Sequence, residues 1–271
     1  MKNNSTTPII TKTVFFLGLI SLFTDMASEM IYPILPLYME SIGISIVGIG
    51  VLEGIAQATA GLSKGYFGRW SDLSSRRLPF VQIGYGLSAI SKPVLAFATS
   101  GWTVLASRFG DRLGKGIRTG ARDALLSQEA NSDNRGRVFG FHKAMDSFGA
   151  ALGPLLALAF LWYYPEEYKT LFLIAIIPGV FAIVSTYLIK EKKNKSATNS
   201  SKRPSWNDLI YYLKTSSKSY RKLILGLLLF SLINSTDLFL LLFLKTIGFD
   251  DVQIISVYIL YNLVFAFAAY P

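Results

Sequence analysis

The stretch RFGDRLGKGIRTGARD, residues Arg108 to Asp123, decides how the rest of the chain is read. Within it Arg108, Asp111, Arg112, Lys115, Arg118 and Arg122 recur at steps of three and four. On a helix that spacing puts all six on one stripe, because residues three and four apart are surface neighbours. A charged stripe by itself describes a helix with one solvated face. Here apolar runs of membrane-spanning length lie on both sides of it, so the first question is whether this helix crosses a bilayer too.

Composition supports a membrane setting. Of 271 residues 51% are hydrophobic and only 16% charged, against about a quarter charged in soluble domains. Runs of roughly 20 apolar residues, the length of a bilayer crossing, recur along the chain. The net charge of +10 falls mostly between these runs on alternate sides, which describes topology rather than nucleic-acid binding. The absence of cysteine excludes disulfides, thiolate metal sites and a cysteine nucleophile, and the single His142 excludes a histidine-built metal site or triad.

Taken in order, a polar tail (Met1 to Lys12) precedes helix 1 at about 13–39, too long and too charged, with Asp25 and Glu29, for a signal peptide. Tyr32, Pro33 and Pro36 are expected to kink it. Helix 2 is expected at about 46–67, a basic loop at 68–77, helix 3 at about 79–98, helix 5 at about 137–162 and helix 6 at about 170–190. A linker rich in Lys, Asn and Ser follows, in which Ser205 and Asp208 resemble a capping box opening an interfacial helix, with Trp206, Leu209, Ile210 and Leu213 toward lipid. Helix 7 is expected at about 223–245, and helix 8 from Val252 onward.

Parity settles helix 4. Basic loops prefer the cytoplasm. If residues 102–123 did not cross, the loop at 68–77 and the linker, which carries ten Lys or Arg between Lys190 and Lys222, would lie on opposite faces. If they cross, both are cytoplasmic together with Arg135 and Arg137, and the links near 40–45, 99–101, 163–169 and 246–251, nearly free of basic residues, lie outside. The expected protein is therefore all-α, with eight transmembrane helices, an N-terminus and linker in the cytoplasm, and a multi-pass place in the inner membrane. Its expected divisions are a six-helix bundle over 1–190, a linker over 191–222, and helices 7 and 8 over 223–271.

Charges near a bilayer centre cost a few kcal/mol each on insertion scales, so this stripe cannot face lipid. Lys92 adds a further cation near the middle of helix 3. Acidic partners are available in Asp25 and Glu29, one turn apart on helix 1, Glu53 on helix 2, Asp111 itself and Asp146 on helix 5. The balance is near neutral, and internal pairing and a path for an anionic substrate account for it equally well. Asp25 and Glu29 are the foremost proton carriers, because carboxyls in an apolar bundle can load and release protons near neutral pH. Glu53 with Gln57 lines the cavity or makes a polar contact between helices; Asp237 faces the cavity from helix 7; His142 is interfacial.

Shifting the sequence by 205 residues aligns Leu35, Leu37, Ile42, Gly43, Val47 and Ile49 with Leu240, Leu242, Ile247, Gly248, Val252 and Ile254. Helices 1 and 2 therefore look like helices 7 and 8, a parallel repeat of the kind found in transporters built from two six-helix halves. The sequence would then end partway through the second helix of the second half, and this eight-helix portion on its own is not expected to transport.

Three motifs carry a resemblance to the major facilitator superfamily. Gly68-Arg-Trp-Ser-Asp72-Leu-Ser-Ser-Arg76-Arg77 resembles its signature loop between helices 2 and 3, departing at Leu73 and Ser75. Gly68 would let the helix end turn closely and Asp72 would accept from amides or an arginine; in the family this cluster latches the cytoplasmic side. Arg112-Leu-Gly-Lys115-Gly116 resembles the helix 4 motif whose arginine is linked to proton coupling, with Arg108 as the alternative register. Gly149-Ala-Ala-Leu-Gly153-Pro154 resembles the antiporter motif of helix 5, although the glycine pair that often follows is replaced by Leu155, Leu156 and Ala157.

The resemblance implies a twelve-helix plan, eight helices of it present, and a monomeric transporter of a small molecule working by alternating access, driven by the proton gradient with no cofactor. The helix 5 motif favours antiport and export; proton-coupled uptake of a small, anionic solute is the alternative. A non-transporting receptor or scaffold would leave the buried charges without a path to line, and an enzyme lacks any nucleophile–base pair or metal cluster.

Overall fold

The computed structural model describes residues 10–74, 76–191, 205–234 and 236–268, which form helices and no strands. The tail at 1–9, the linker residues 192–204 and residues 269–271 lie outside the described residues, as do the side chains of Trp206, Leu209 and Ile210.

The first expected helix is two pieces, α1 (Lys12–Glu29) and α2 (Leu35–Ser41). Thr11 caps α1 by accepting from the Val14 amide at 3.3 Å. Pro33 and Pro36 lack the donors that the carbonyls of Glu29 and Tyr32 would need, so the chain turns between the pieces. Helix α3 (Ile46–Leu73) runs farther than expected. Gly68 and Asp72 are therefore helical, and Gly68 serves a helix contact rather than the turn expected of it. After α4 (Leu78–Ala96), the charged stretch forms α5 (Gly101–Glu129), opened by a Ser100/Thr103 capping box. Helix α6 (Arg135–Tyr163) continues through Pro154.

Helices 6 and 7 of the sequence reading are each broken. The sixth divides into α7 (Tyr168–Ile174) and α8 (Ile176–Thr186), because Pro178 cannot donate to the Ile174 carbonyl. The seventh begins earlier, as α10 (Lys218–Ile233), and resumes as α11 (Asp237–Thr246) after Asn234 turns extended. The sequence Asn-Ser-Thr over 234–236 disfavours a continued helix, because short polar side chains offer the backbone other hydrogen-bonding partners. Between these lies α9 (Trp206–Thr215), where the capping-box pattern foresees a helix, and α12 (Asp251–Ala268) ends the described chain.

The repeat is visible in the backbone. A shift of 205 residues carries the α1–α2 break onto the α10–α11 break and the start of α3 onto the start of α12. It also carries Gly43 (φ +83°) onto Gly248 (φ +96°), each in the left-handed conformation just past a helix end. Even the caps correspond: Ser45 accepts from the Gly48 amide at 3.2 Å and Asp250 from the Gln253 amide at 2.7 Å.

Glycines set where α5 sits. On one side Gly114 meets α4, where an added Cβ would lie 3.1 Å from the Ser88 amide nitrogen. On another, Gly120 meets α3, where a Cβ would lie 2.8 Å from the Gly68 Cα. Helix α5 is thus held on two faces by close backbone approach, which turns its charged stripe toward α1 and the centre of the bundle. Helix α6 packs along α1 in the same way.

Two apolar clusters lie at opposite ends of the bundle. The end that carries the basic 74–77 link together with Arg135 and Arg137 holds Val14, Leu17, Val81, Leu125 and Val138, from α1, α4, α5 and α6. The far end holds Met30 to Met39, Ile49, Leu95 and Phe172 together with Leu238, Leu241, Leu242, Ile254 and Ile255, so α11 and α12 join the bundle there. Large apolar side chains cover the exterior, among them Val47, Leu62, Phe97 and Trp102. Three helical stretches, Ile46–Leu73, Arg135–Tyr163 and Tyr168–Thr186, are long and apolar enough to cross a membrane by length and composition.

The glycine contacts give a test. At Gly153 a Cβ would lie 2.6 Å from the Met26 carbonyl oxygen, and at Gly149 it would collide with that of Leu22. Gly149→Val and Gly153→Val should each destabilise by about 1–3 kcal/mol, read as a lowered melting midpoint in detergent. Gly140→Ala, with nothing near its Cβ, should be neutral or stabilising by up to about 1 kcal/mol.

Candidate functional site

Between the two apolar clusters lies a layer of buried charge. Its centre is Glu53 of α3, 3% exposed, which accepts from Arg108 Nη2 at 2.7 Å (Oε2) and 2.9 Å (Oε1) and from Arg108 Nε at 3.2 Å. Arg112 Nη2 lies 3.5 Å from the same carboxylate, and Gln57 Nε2 donates to it at 2.7 Å. Glu53 therefore takes the role of principal partner to the α5 arginines, ahead of Asp25 and Glu29.

Asp111 sits 3.9 Å from Arg108 and 4.0 Å from Arg112, ion-pair distances without direct hydrogen bonds. Lys92 of α4, 5% exposed, donates to the Ser88 carbonyl at 3.3 Å. Ser91, Lys92, Ser107, Arg108 and Asp111 border a cavity of about 30 Å³, room for a single water among polar partners. Among the described residues Arg118 pairs with no carboxylate: it donates to Ser88 Oγ at 2.5 Å and the Gly84 carbonyl at 3.4 Å, and its guanidinium lies 4.5 Å over the Tyr85 ring. Lys115, midway along α5, is exposed, and its ammonium has no hydrogen bond or ion pair among the described residues.

On α1, Asp25 and Glu29 go to different partners. Asp25 meets Asp146 of α6 carboxyl to carboxyl, at hydrogen-bonding range. Asp146 also accepts from Lys143 Nζ at 2.7 Å and Ser21 Oγ at 2.9 Å. The two carboxyls thus face each other across the α1–α6 contact. Glu29 accepts from the Tyr258 hydroxyl of α12 at 2.7 Å, and the Tyr258 ring lies 5.8 Å from that of Tyr32. This bond ties the first bundle to the last described helix.

The remaining sequence candidates fall away from this layer. Arg77 pairs with Asp72 at 3.0 Å at the basic end, where Asp72 is 63% exposed. The Arg77 and Leu78 amides donate to Glu191 at 2.5 and 3.1 Å, so a carboxylate from beyond α8 caps α4. Arg76 is exposed there. Gly149, Gly153 and Pro154 lie on the α1–α6 contact. His142 is buried, 6% exposed, with Nε2 unpartnered among the described residues; this corrects its interfacial reading, since the close α1–α6 packing encloses it. Asp237 starts α11 and is half-buried.

Sequence reasoning missed Tyr258, Ser88, Tyr85, Ser21 and Glu191. For Tyr258 a signal existed, because the 205-residue shift maps Glu53 onto it. The others are ordinary residues on apolar helices, and only the packing brings them to the charges. Among the described residues no cluster of His, Asp and Glu could hold a metal.

The sequence matches the family profile described as Major Facilitator Superfamily over residues 17–271. It is 33% identical to an uncharacterised MFS-type transporter of Methanocaldococcus jannaschii over 278 residues, covering 100% of this chain and 67% of that protein. It is 30% identical to the class C tetracycline resistance protein of Escherichia coli over 119 residues, 44% of this chain and 28% of that one. In structure it resembles a POT family transporter in complex with 5-aminolevulinic acid, with a TM-score of 0.62 at 16% identity, covering 89% of this chain and 48% of that one.

The charge layer yields a prediction. Glu53→Gln leaves Arg108 and Arg112 only the more distant Asp111 as counter-charge and should cost about 3–5 kcal/mol. Asp72→Asn, at an exposed pair, should cost about 0–1 kcal/mol. Thermal unfolding of both in detergent checks this; equal losses would show that burial does not govern these pairs.

Proposed function

Because the chain belongs to the major facilitator superfamily, we propose that it is a secondary active transporter carrying a small molecule by alternating access, coupled to protons and working as an exporter. Members of this family are membrane transporters, not enzymes. The observation that carries the reading is the polar layer itself. Glu53, Arg108, Arg112, Lys92 and Arg118 are each less than 10% exposed at mid-bundle, between two apolar clusters. Buried ion pairs stabilise a fold weakly or not at all compared with apolar packing, so their use here points to a solute path.

The proton route is the set of acids on and against α1. Asp25 and Asp146 face each other, and Glu29 one turn along meets Tyr258, so a proton reaching α1 encounters both the bundle and the contact with α12. No cofactor enters this scheme; the proton gradient supplies the energy. The topology that fits it has eight crossings, a six-helix bundle over 1–190, the linker 191–222 and the protein's N-terminus in the cytoplasm, and helices 7 and 8 over 223–271, in a monomer of the inner membrane. Basic residues at one end of the bundle support this orientation.

Export by antiport is supported by the tight seating of Gly149 and Gly153 on α1, next to the Asp25–Asp146 pair, and by the likeness to a tetracycline resistance protein. A second reading, proton-coupled uptake of an anionic solute, is favoured by one observation, the unpaired Lys115 at the centre of α5.

The test uses everted membrane vesicles carrying the protein expressed from its natural gene, with a dye reporting the pH of the respiration-acidified lumen. Cationic drugs, organic acids and metal chelates are added one at a time. One compound class should alkalinise the lumen, and Asp25→Asn and Arg112→Ala should each abolish that response. Silence across the panel would turn the reading to uptake, and a response surviving in both variants would remove these residues from the mechanism.

A further inference from the structure

The partners now assigned change the charge balance of the mid-bundle layer. Five cations face it: Lys92, Arg108, Arg112, Lys115 and Arg118. Of the acids, Asp146 is matched by Lys143, and Asp25 is turned against Asp146 rather than forming an ion pair with any of these cations. Glu29, Glu53 and Asp111 remain, three carboxylates for five cations. Two donors mark where the surplus lies. Lys115 stands exposed, its ammonium with no partner among the described residues, and Arg112, 9% exposed, has a buried Nε with no acceptor. They are three residues apart on the face of α5 turned toward α1, neighbours on one helix surface.

Lys115 is also fourteen residues from each end of α5. At 1.5 Å per residue it lies about 21 Å from either end, at the depth of a bilayer midplane. An ammonium one helical turn from an unsatisfied guanidinium edge is a receptor for an oxyanion: the guanidinium fixes orientation and the ammonium supplies a strong point charge.

We infer that the substrate is a small organic anion whose carboxylate or phosphate group binds between Lys115 and the Nε edge of Arg112. The inference rests on the transporter reading and holds for either direction of transport.

The test measures melting midpoints of the purified protein in detergent at constant ionic strength. Citrate, succinate and glycerol 3-phosphate are the anionic probes; tetraphenylphosphonium and ethidium are the cationic ones. At least one anion should raise the midpoint above a chloride control. Its half-saturating concentration should rise about tenfold or more in Lys115→Gln and recover in Lys115→Arg, which keeps the charge. Absence of any anion effect, or an effect unchanged in Lys115→Gln, would overturn the inference, as would stabilisation by the cations alone. Dye-loaded vesicles separate the two proposals. Anion binding at Lys115 with no accompanying proton movement would retain the site and remove proton-coupled transport. Proton-coupled transport of tetraphenylphosphonium with no anion binding would retain the transporter and remove the site.

Discussion

The interaction on which the rest depends is the grip of Glu53 on Arg108 and Arg112. In an apolar bundle an arginine without a counter-charge costs several kcal/mol, and two on one stripe would force α5 out toward water. One carboxylate on α3, reaching Arg108 with both oxygens, removes most of that penalty. The grip demands that α3 and α5 approach closely, and the small residues make this possible: Gly116 sits against the α3 backbone at Ser63 and Lys64, and Gly120 against Gly68. Glycine placement and charge pairing are thus one device. A side chain at either glycine would separate the very groups whose separation the bilayer penalises.

That coupling explains what the sequence made legible. The stripe, the kink at Pro33 and the acids on the facing helices follow from periodicity, composition and the cost of charge in lipid, all local or additive properties. Which acid serves which base does not. Asp25, Glu29 and Glu53 look alike in sequence, and only the glycine contacts decide that Glu53 faces the arginines while Asp25 is turned to Asp146. The breaks at Ala175 and Asn234 were legible in principle, from Pro178 and from the polar run at 234–236, but the apolar pattern continues across them and hides them. Gly68 shows the opposite failure. A motif learned as a loop reads as a turn, whereas here the helix runs on to Leu73 and the glycine becomes a contact point.

The two ends of the bundle differ in how they are held. At the basic end the links are tied by Asp72 to Arg77 and by Glu191 to the start of α4, polar contacts that water can replace. At the far end, apolar residues of α2 and α3 meet those of α11 and α12, and Tyr38 donates to the Ala98 carbonyl beneath them. Tyr168 and Lys245 both reach Asp251 there. Apolar contacts of that kind resist separation until they are wetted as a unit, whereas exposed ion pairs part singly at little cost.

The repeat sharpens this view of what a sequence must keep. Under the 205-residue shift, the features that persist are backbone features: a helix break, a glycine at positive φ, a side-chain cap at the next helix start. Those positions admit few residue types, because φ near +90° excludes most side chains and an N-cap needs a short acceptor. The chemistry at equivalent positions is free to differ, and it does. Glu53 and Tyr258 correspond, yet one is an acceptor buried against two arginines and the other a donor to Glu29 across the contact between α1 and α12. Tyr32 and Asp237 correspond as well, again with the polar roles changed. Duplicated backbone with divergent polar groups yields two related helix pairs of unlike polarity.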